Sequence, residues 1–161
     1  MSLEENTNFK TTDYILIAII SFLLIITWCY VIIYYKYLPE TIAVHFDVNG
    51  QPNGYNSKNS IWLAPILFTL LSIGCVFGAK YPQKVTFPYR KLNFVEKKAT
   101  SKIMIFSAIL LNSILLIICL SMIKVSLEKN FATKWILPSI IILTLLYLVV
   151  IIYYQLKIKR K

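Results

Sequence analysis

Residues 14–35 read YILIAIISFLLIITWCYVIIYY, a stretch with no charged residue in which 13 of 22 positions are Ile, Leu, Phe or Val. Each of these favours insertion at the centre of a membrane helix by about 0.3–0.6 kcal/mol, so the run gains roughly 4–8 kcal/mol. Three further charge-free runs follow at residues 61–79, 103–123 and 135–154, each 19–21 residues long. About 20 helical residues cross a 30 Å hydrocarbon core. No water reaches that core to satisfy an open backbone, so the runs must be helices, and they are too long and too evenly apolar for barrel strands. The fold predicted is all-α and integral to the membrane: a four-transmembrane-helix bundle with a small folded outer loop, of β-hairpin form, between the first two spans.

Composition agrees. Of 161 residues, 58% are hydrophobic and 15% charged, against roughly 45–50% and about 25% in soluble domains. An ordinary soluble globule is excluded, because its surface would carry large apolar patches. Lys and Arg number 17 against 7 Asp and Glu, a net charge of +10. In a soluble domain that excess would point to nucleic acid. Here the cations lie in loops and tails, where each gains about 1 kcal/mol from anionic headgroups. The partner they predict is the lipid bilayer, not nucleic acid. Cys29, Cys75 and Cys119 sit in separate apolar runs, with no CxxC pair and no neighbouring His. They read as packing residues, and no metal or cofactor is expected.

The leader, residues 1–13, carries Glu4, Glu5 and Asp13 against Lys10, and no small-residue cleavage site follows the first run. That run therefore reads as a retained span rather than a signal peptide. Lys and Arg number one in the N-terminal tail, two in residues 36–60, seven in 80–102, three in 124–134 and four in 155–161. One side of the membrane thus holds 12 and the other 5. The positive-inside rule puts both termini and the middle loop in the cytoplasm of an inner (plasma) membrane, with residues 36–60 and 124–134 outside. Tyr34, Tyr35, Tyr37, Trp62, Tyr81, Trp135, Tyr153 and Tyr154 fall near the predicted interfaces, as aromatic belts do.

Within the spans, Gly74 and Gly78 form a GxxxG step suited to close helix packing, within the bundle first and against another protomer second. Asn112 lies near the middle of the third span, where an interhelical hydrogen bond is worth about 0.6–2 kcal/mol. It reads as structural glue. No ionisable residue lies within a span, which argues against proton relays and ion-coupled carriers. Pro65 and Pro138 fall in first helical turns, each three residues after a Trp (WLAP and WILP), which would fit two tandem helical hairpins.

Residues 37–60, YLPETIAVHFDVNGQPNGYNSKNS, differ in chemistry from the rest. Ile42, Val44 and Phe46 alternate with Thr41, Ala43 and His45, the pattern of a half-exposed strand. Asn49-Gly50 and Asn53-Gly54 read as turn dipeptides. A compact loop folded on the outer helix ends is expected.

The run Leu38-Pro39, His45-Phe46, Gly50, Gly54-Tyr55 and Ser57-Lys58 resembles the signature of the membrane-protein family known as domain of unknown function 1648. That domain also forms the N-terminal part of immunity proteins against the sporulation-delaying toxin. The middle loop, KYPQKVTFPYRKLNF, resembles the family's Tyr-Pro and aromatic-Pro segment, so the resemblance extends over residues 14–100. It divides the chain into a tail (1–13), the family-like region (14–100), and a last part with two spans and a basic tail (101–161). The immunity proteins carry a longer membrane region after the shared domain than this chain does.

The resemblance implies that Pro39, His45, Phe46, Gly50, Gly54, Tyr55, Ser57 and Lys58 form a binding motif. Glu40, His45 and Asp47 could offer an imidazole and two carboxylates to a metal, but their spacing is no known ligand pattern, and a His45 hydrogen-bonded to loop backbone is the simpler expectation. Ser57 with His45 lacks an orienting third group and an oxyanion hole. The chain is therefore expected to be no enzyme. Its outer loop would recognise or occlude an external partner, with a toxin peptide, another membrane protein or lipid as candidates. The alternatives are a small transporter subunit using Asn112, or a signalling protein whose Arg90, Lys91, Lys97, Lys98 and Lys102 dock a cytoplasmic regulator.

Overall fold

The computed structural model describes residues 7–86, 91–128 and 134–159. Among them the order is helix α1 (Thr11–Tyr35), strands β1 (Thr41–Phe46) and β2 (Pro52–Ser57), a short 3-10 turn (Lys58–Trp62), helix α2 (Leu63–Lys80), a second 3-10 turn (Pro82–Lys84), helix α3 (Phe94–Leu127) and helix α4 (Ile136–Lys159). These four helices are long and apolar enough to cross a membrane, and β1 pairs antiparallel with β2 between the first two.

Helix α3 organises the bundle, and α1, α2 and α4 each pack against it. Its sequence explains why. Ile105, Ala108, Asn112, Leu115, Cys119 and Met122 are buried, and they follow one another at intervals of three and four. That spacing keeps one seam facing the neighbouring helices. On α2 the buried Ser72, Gly78 and Ala79 are small, so the two backbones approach closely. Ile20 of α1 joins Ala79, Ile105 and Ala108 in one cluster where α1, α2 and α3 meet.

Asn112 ties α3 to α2. Its Nδ2 donates to Ser72 Oγ and to the Ala108 carbonyl, both at 2.7 Å, while the Ser72 hydroxyl donates to the Phe68 carbonyl. The residue is fully buried, and its hydrogen bond to Ser72 links the two helices. The GxxxG expectation needs correction. A β-carbon at Gly78 would meet Val85 at 3.3 Å and Met104 at 3.4 Å, whereas one at Gly74 would meet nothing within 4 Å. At about 100° per residue, Gly74 and Gly78 lie about 40° apart on one side of α2, and Val85 and Met104 reach that side at the level of Gly78. Of the two glycines, Gly78 alone takes part in packing among the described residues.

Helix α3 is 34 residues long, about 51 Å at 1.5 Å per residue. It exceeds the charge-free run 103–123 at both ends and must project beyond a 30 Å core. Asn93 starts it with a capping box: its side chain accepts from the Glu96 N–H, and the Glu96 carboxylate accepts from the Asn93 N–H. Helix α4 packs along α3 through a 2.5 Å hydrogen bond between the Ser107 and Tyr147 hydroxyls and a Phe106–Tyr154 ring contact. Its exposed Leu145, Leu146, Val149 and Ile152 need apolar surroundings. With α2 and α4 packed so differently, the repeated Trp-x-x-Pro marks no matching pair of helical hairpins.

The helices alternate in direction. Lys102 of α3 lies beside Thr12 of α1 at one end, and Ser126 of α3 lies beside Ala43 of β1 at the other. The hairpin therefore caps one end of the bundle, and the start of α1 and end of α4 lie at the opposite end.

Candidate functional site

The hairpin is seated on the bundle by apolar side chains from its own sequence. Leu38, Ile42 and Ile61 are buried with Val31 of α1 and Leu115, Cys119, Met122 and Ile123 of α3, and Val44 and Phe46 pack against this cluster. The expected alternation thus places Ile42, Val44 and Phe46 inward. Ala43 is buried as well, because its N–H donates to Ser126 Oγ at 3.2 Å, which docks the free edge of β1 on the end of α3.

Asp47 builds the turn. Its Oδ1 accepts from the N–H groups of Asn49 at 2.9 Å and Gln51 at 2.8 Å, and the Gly50 N–H donates to the Asp47 carbonyl. Gly50 has φ of 75°, a conformation that a β-carbon disfavours. Asn49-Gly50 is therefore a turn, as read. Asn53-Gly54 is not, since both residues belong to β2, where Gly54 pairs with His45. The ladder is irregular between Ala43 and His45 and between His45 and Phe46. An extra residue on each strand in turn, Val44 and then Asn53, restores the register, as bulges do.

This pairing explains Gly54. A β-carbon there would lie 2.9 Å from His45 Cδ2 and 3.0 Å from His45 Cβ. The expectation of a backbone hydrogen bond for His45 gives way to packing on glycine; among the described residues its imidazole makes no hydrogen bond. Nor do Glu40, His45 and Asp47 converge as a metal site. Glu40 pairs with Lys58 at 2.7 Å, Asp47 holds the turn, and the described residues hold no cluster of three such ligands. Ser57 pairs with Thr41 while Gly54 pairs with His45, so Ser57 lies three residues, about 10 Å, along the sheet from the imidazole.

At the base of the hairpin, the Lys58 N–H donates to the Glu40 carbonyl and the Lys58 ammonium lies 5.8 Å from the centre of the Tyr35 ring. Ser57 accepts from the Asn59 N–H and opens the turn into α2. The Tyr35 hydroxyl donates to Asn59 Oδ1 at 2.5 Å, and its ring packs on Trp62 at 5.0 Å. Trp62 stacks on Trp28, whose Nε1–H donates to Thr69 Oγ1 at 3.0 Å. The motif residues Phe46, Gly50, Gly54, Ser57 and Lys58 thus shape the hairpin, whereas Pro39, His45 and Tyr55 are exposed.

Sequence reasoning missed a second feature, at the opposite end. Asp13, 5% exposed, forms an ion pair with Lys102 and accepts from the Lys10 N–H. The available signal was two opposite charges, each flanking a charge-free run on the same predicted side. Of the basic loop, Arg90 and the Phe87-Pro88 step lie outside the described residues.

Residues 22–69 match the family model described as domain of unknown function (DUF1648). The match spans the later part of α1, the whole hairpin and the start of α2, a narrower stretch than residues 14–100. An uncharacterized protein of Archaeoglobus fulgidus is 27% identical over 74 residues, which cover 41% of this chain and 40% of that protein. The chain thus spans less than half the length of this curated relative. No solved structure matches. What the comparisons identify is a DUF1648 segment at residues 22–69, centred on the hairpin and carried by two helices able to cross a membrane.

Proposed function

We propose that this chain is a non-catalytic multi-pass membrane protein that binds an external partner through its β-hairpin. The observation that carries the reading is a contrast within the hairpin. Leu38, Ile42 and Ile61 pin it to the helices, while Val48 and Tyr55 stand 78% and 62% exposed at and near its tip. A rigidly held strand pair offering an aromatic and an apolar side chain loses little entropy on binding. The partner proposed is a peptide or the outer part of another membrane protein, with both termini of this chain in the cytoplasm. A peptide toxin is the version that the resemblance to immunity proteins supports.

Photo-crosslinking tests the binding reading. A photoreactive phenylalanine analogue at Tyr55 is expected to give a discrete protein adduct that Val48→Asp suppresses. An adduct no stronger than that from the exposed Leu145 of α4 would overturn it. For the toxin version, sensitive cells expressing the chain should survive exposure better than cells expressing the Tyr55→Ala, Val48→Asp variant; equal survival removes that version alone.

A further inference from the structure

The end of the bundle opposite the hairpin holds a partly enclosed cavity of about 550 Å³. Among the described residues five lysines line it, Lys10, Lys91, Lys97, Lys98 and Lys102, with one carboxylate, Asp13. That carboxylate is already engaged by Lys102 and by the Lys10 N–H, so among the described residues the ammonium groups of Lys10, Lys91 and Lys98 add positive charge to the cavity beyond this ion pair. Like charges around one space repel one another unless an anion joins them. The cavity also sits at a defined depth. Its lysines on α3 lie between the start of that helix at Phe94 and the charge-free run beginning at Ile103, within about 13 Å of helix that meets the headgroup region when the apolar run spans the core.

An apolar crevice of about 460 Å³ adjoins it, and Phe9 lines both. The crevice lies between α1 and α2, walled by Ile17, Ile20, Leu24, Val76 and Phe77. Its origin is the way the helices meet. Near the hairpin, Trp28 joins α1 to α2 through Trp62 and Thr69; towards the other end, both helices lean on α3 and leave a gap. The segment ahead of α1 borders the end of the gap, where Thr7 donates from its N–H to the Lys80 carbonyl and from its hydroxyl to the Ala79 carbonyl. Lys80 Nζ lies 5.0 Å from the centre of the Phe9 ring, adding a cation where the two spaces adjoin.

We infer that this paired space is a site for one acidic phospholipid, with the phosphate-bearing headgroup among the lysines and an acyl chain in the α1–α2 crevice. A free phosphate would use only the first space; the neighbouring crevice, open towards the hydrocarbon region, favours the lipid. Basic pockets between membrane helices bind such headgroups. Bound there, the lipid would join α1, α2 and the start of α3.

The test uses the full chain in a neutral detergent, with phosphatidylglycerol, phosphatidylcholine of the same acyl chains, and inorganic phosphate as probes. Phosphatidylglycerol is expected to raise the unfolding temperature saturably and to remain bound, one per chain, in native mass spectrometry. Lys91→Gln with Lys98→Gln, both at exposed positions, should weaken it at least tenfold while leaving the unfolding temperature without lipid unchanged. Ile73→Trp, which lines the crevice at a position 60% exposed, should weaken the lipid and leave phosphate unaffected. Equal binding of phosphatidylcholine would overturn the inference. So would phosphate binding as tightly as phosphatidylglycerol with no effect of Ile73→Trp, the signature of a site for free anions only. Should the double variant not fold, Lys91→Gln alone must still weaken phosphatidylglycerol relative to phosphatidylcholine.

Discussion

The imidazole of His45 occupies the space beside Gly54 where a β-carbon would lie: one placed there would stand 2.9 Å from His45 Cδ2. Histidine and glycine act here as one unit, the side chain of one strand filling the space that the other leaves vacant.

Gly54→Ala is therefore expected to destabilise the protein by about 1–3 kcal/mol, the usual cost of overpacking. In a His45→Ala background the cost should fall without vanishing, since the residue 45 β-carbon remains 3.0 Å away. Denaturation of the four proteins in detergent gives the coupling. Equal costs in both backgrounds would show that the glycine serves something other than the imidazole.

At the tip, Asp47→Ala removes the acceptor of two backbone N–H groups, and Gly50→Ala forces a β-carbon into a left-handed conformation. Each should cost about 1 kcal/mol. Hydrogen exchange at the Asn49 and Gln51 amides should quicken in Asp47→Ala while the amides of α3 stay protected.

Between α2 and α3, the Asn112–Ser72 hydrogen bond should show a coupling of about 0.6–1.7 kcal/mol in a double-mutant cycle of Asn112→Ala and Ser72→Ala. Additive effects would mean that the pair merely fills space.

Across α1 and α3, Asp13→Ala leaves the Lys102 ammonium, 14% exposed, without its carboxylate. A broken buried pair costs about 3–5 kcal/mol, whereas replacing both partners with apolar groups costs far less. Asp13→Leu with Lys102→Met should thus be more stable than Asp13→Ala. Thermal unfolding of both variants decides it.

Orientation is testable at Val48, which stands exposed at the hairpin tip. In a background without Cys29, Cys75 and Cys119, Val48→Cys should react with an impermeant maleimide on intact cells. Reaction only after lysis would put the hairpin in the cytoplasm and send the search for partners there.

The spans were legible because insertion is a local sum: a run such as 103–123 carries its apolar content whatever its neighbours do. The strand β1 was legible for a similar reason, since Ile42, Val44 and Phe46 alternate within one segment. Asn53-Gly54 misled because a turn dipeptide reports only local backbone freedom. Which glycine turns and which one faces a partner strand depends on register, and register here rests on two offsetting bulges.

By itself, then, the sequence determined four apolar helices and a β-hairpin between the first two. Only the tertiary structure decided that Gly78 meets neighbours where Gly74, one turn earlier, meets none among the described residues, that His45 pairs with Gly54, and that Asp13 and four lysines from residues 91–102 meet Lys10 around one cavity. The reason is physical. Apolar transfer and helix formation act within a segment, whereas the partner of a small or charged side chain is set by the direction in which its helix is rotated and the level at which another helix crosses it.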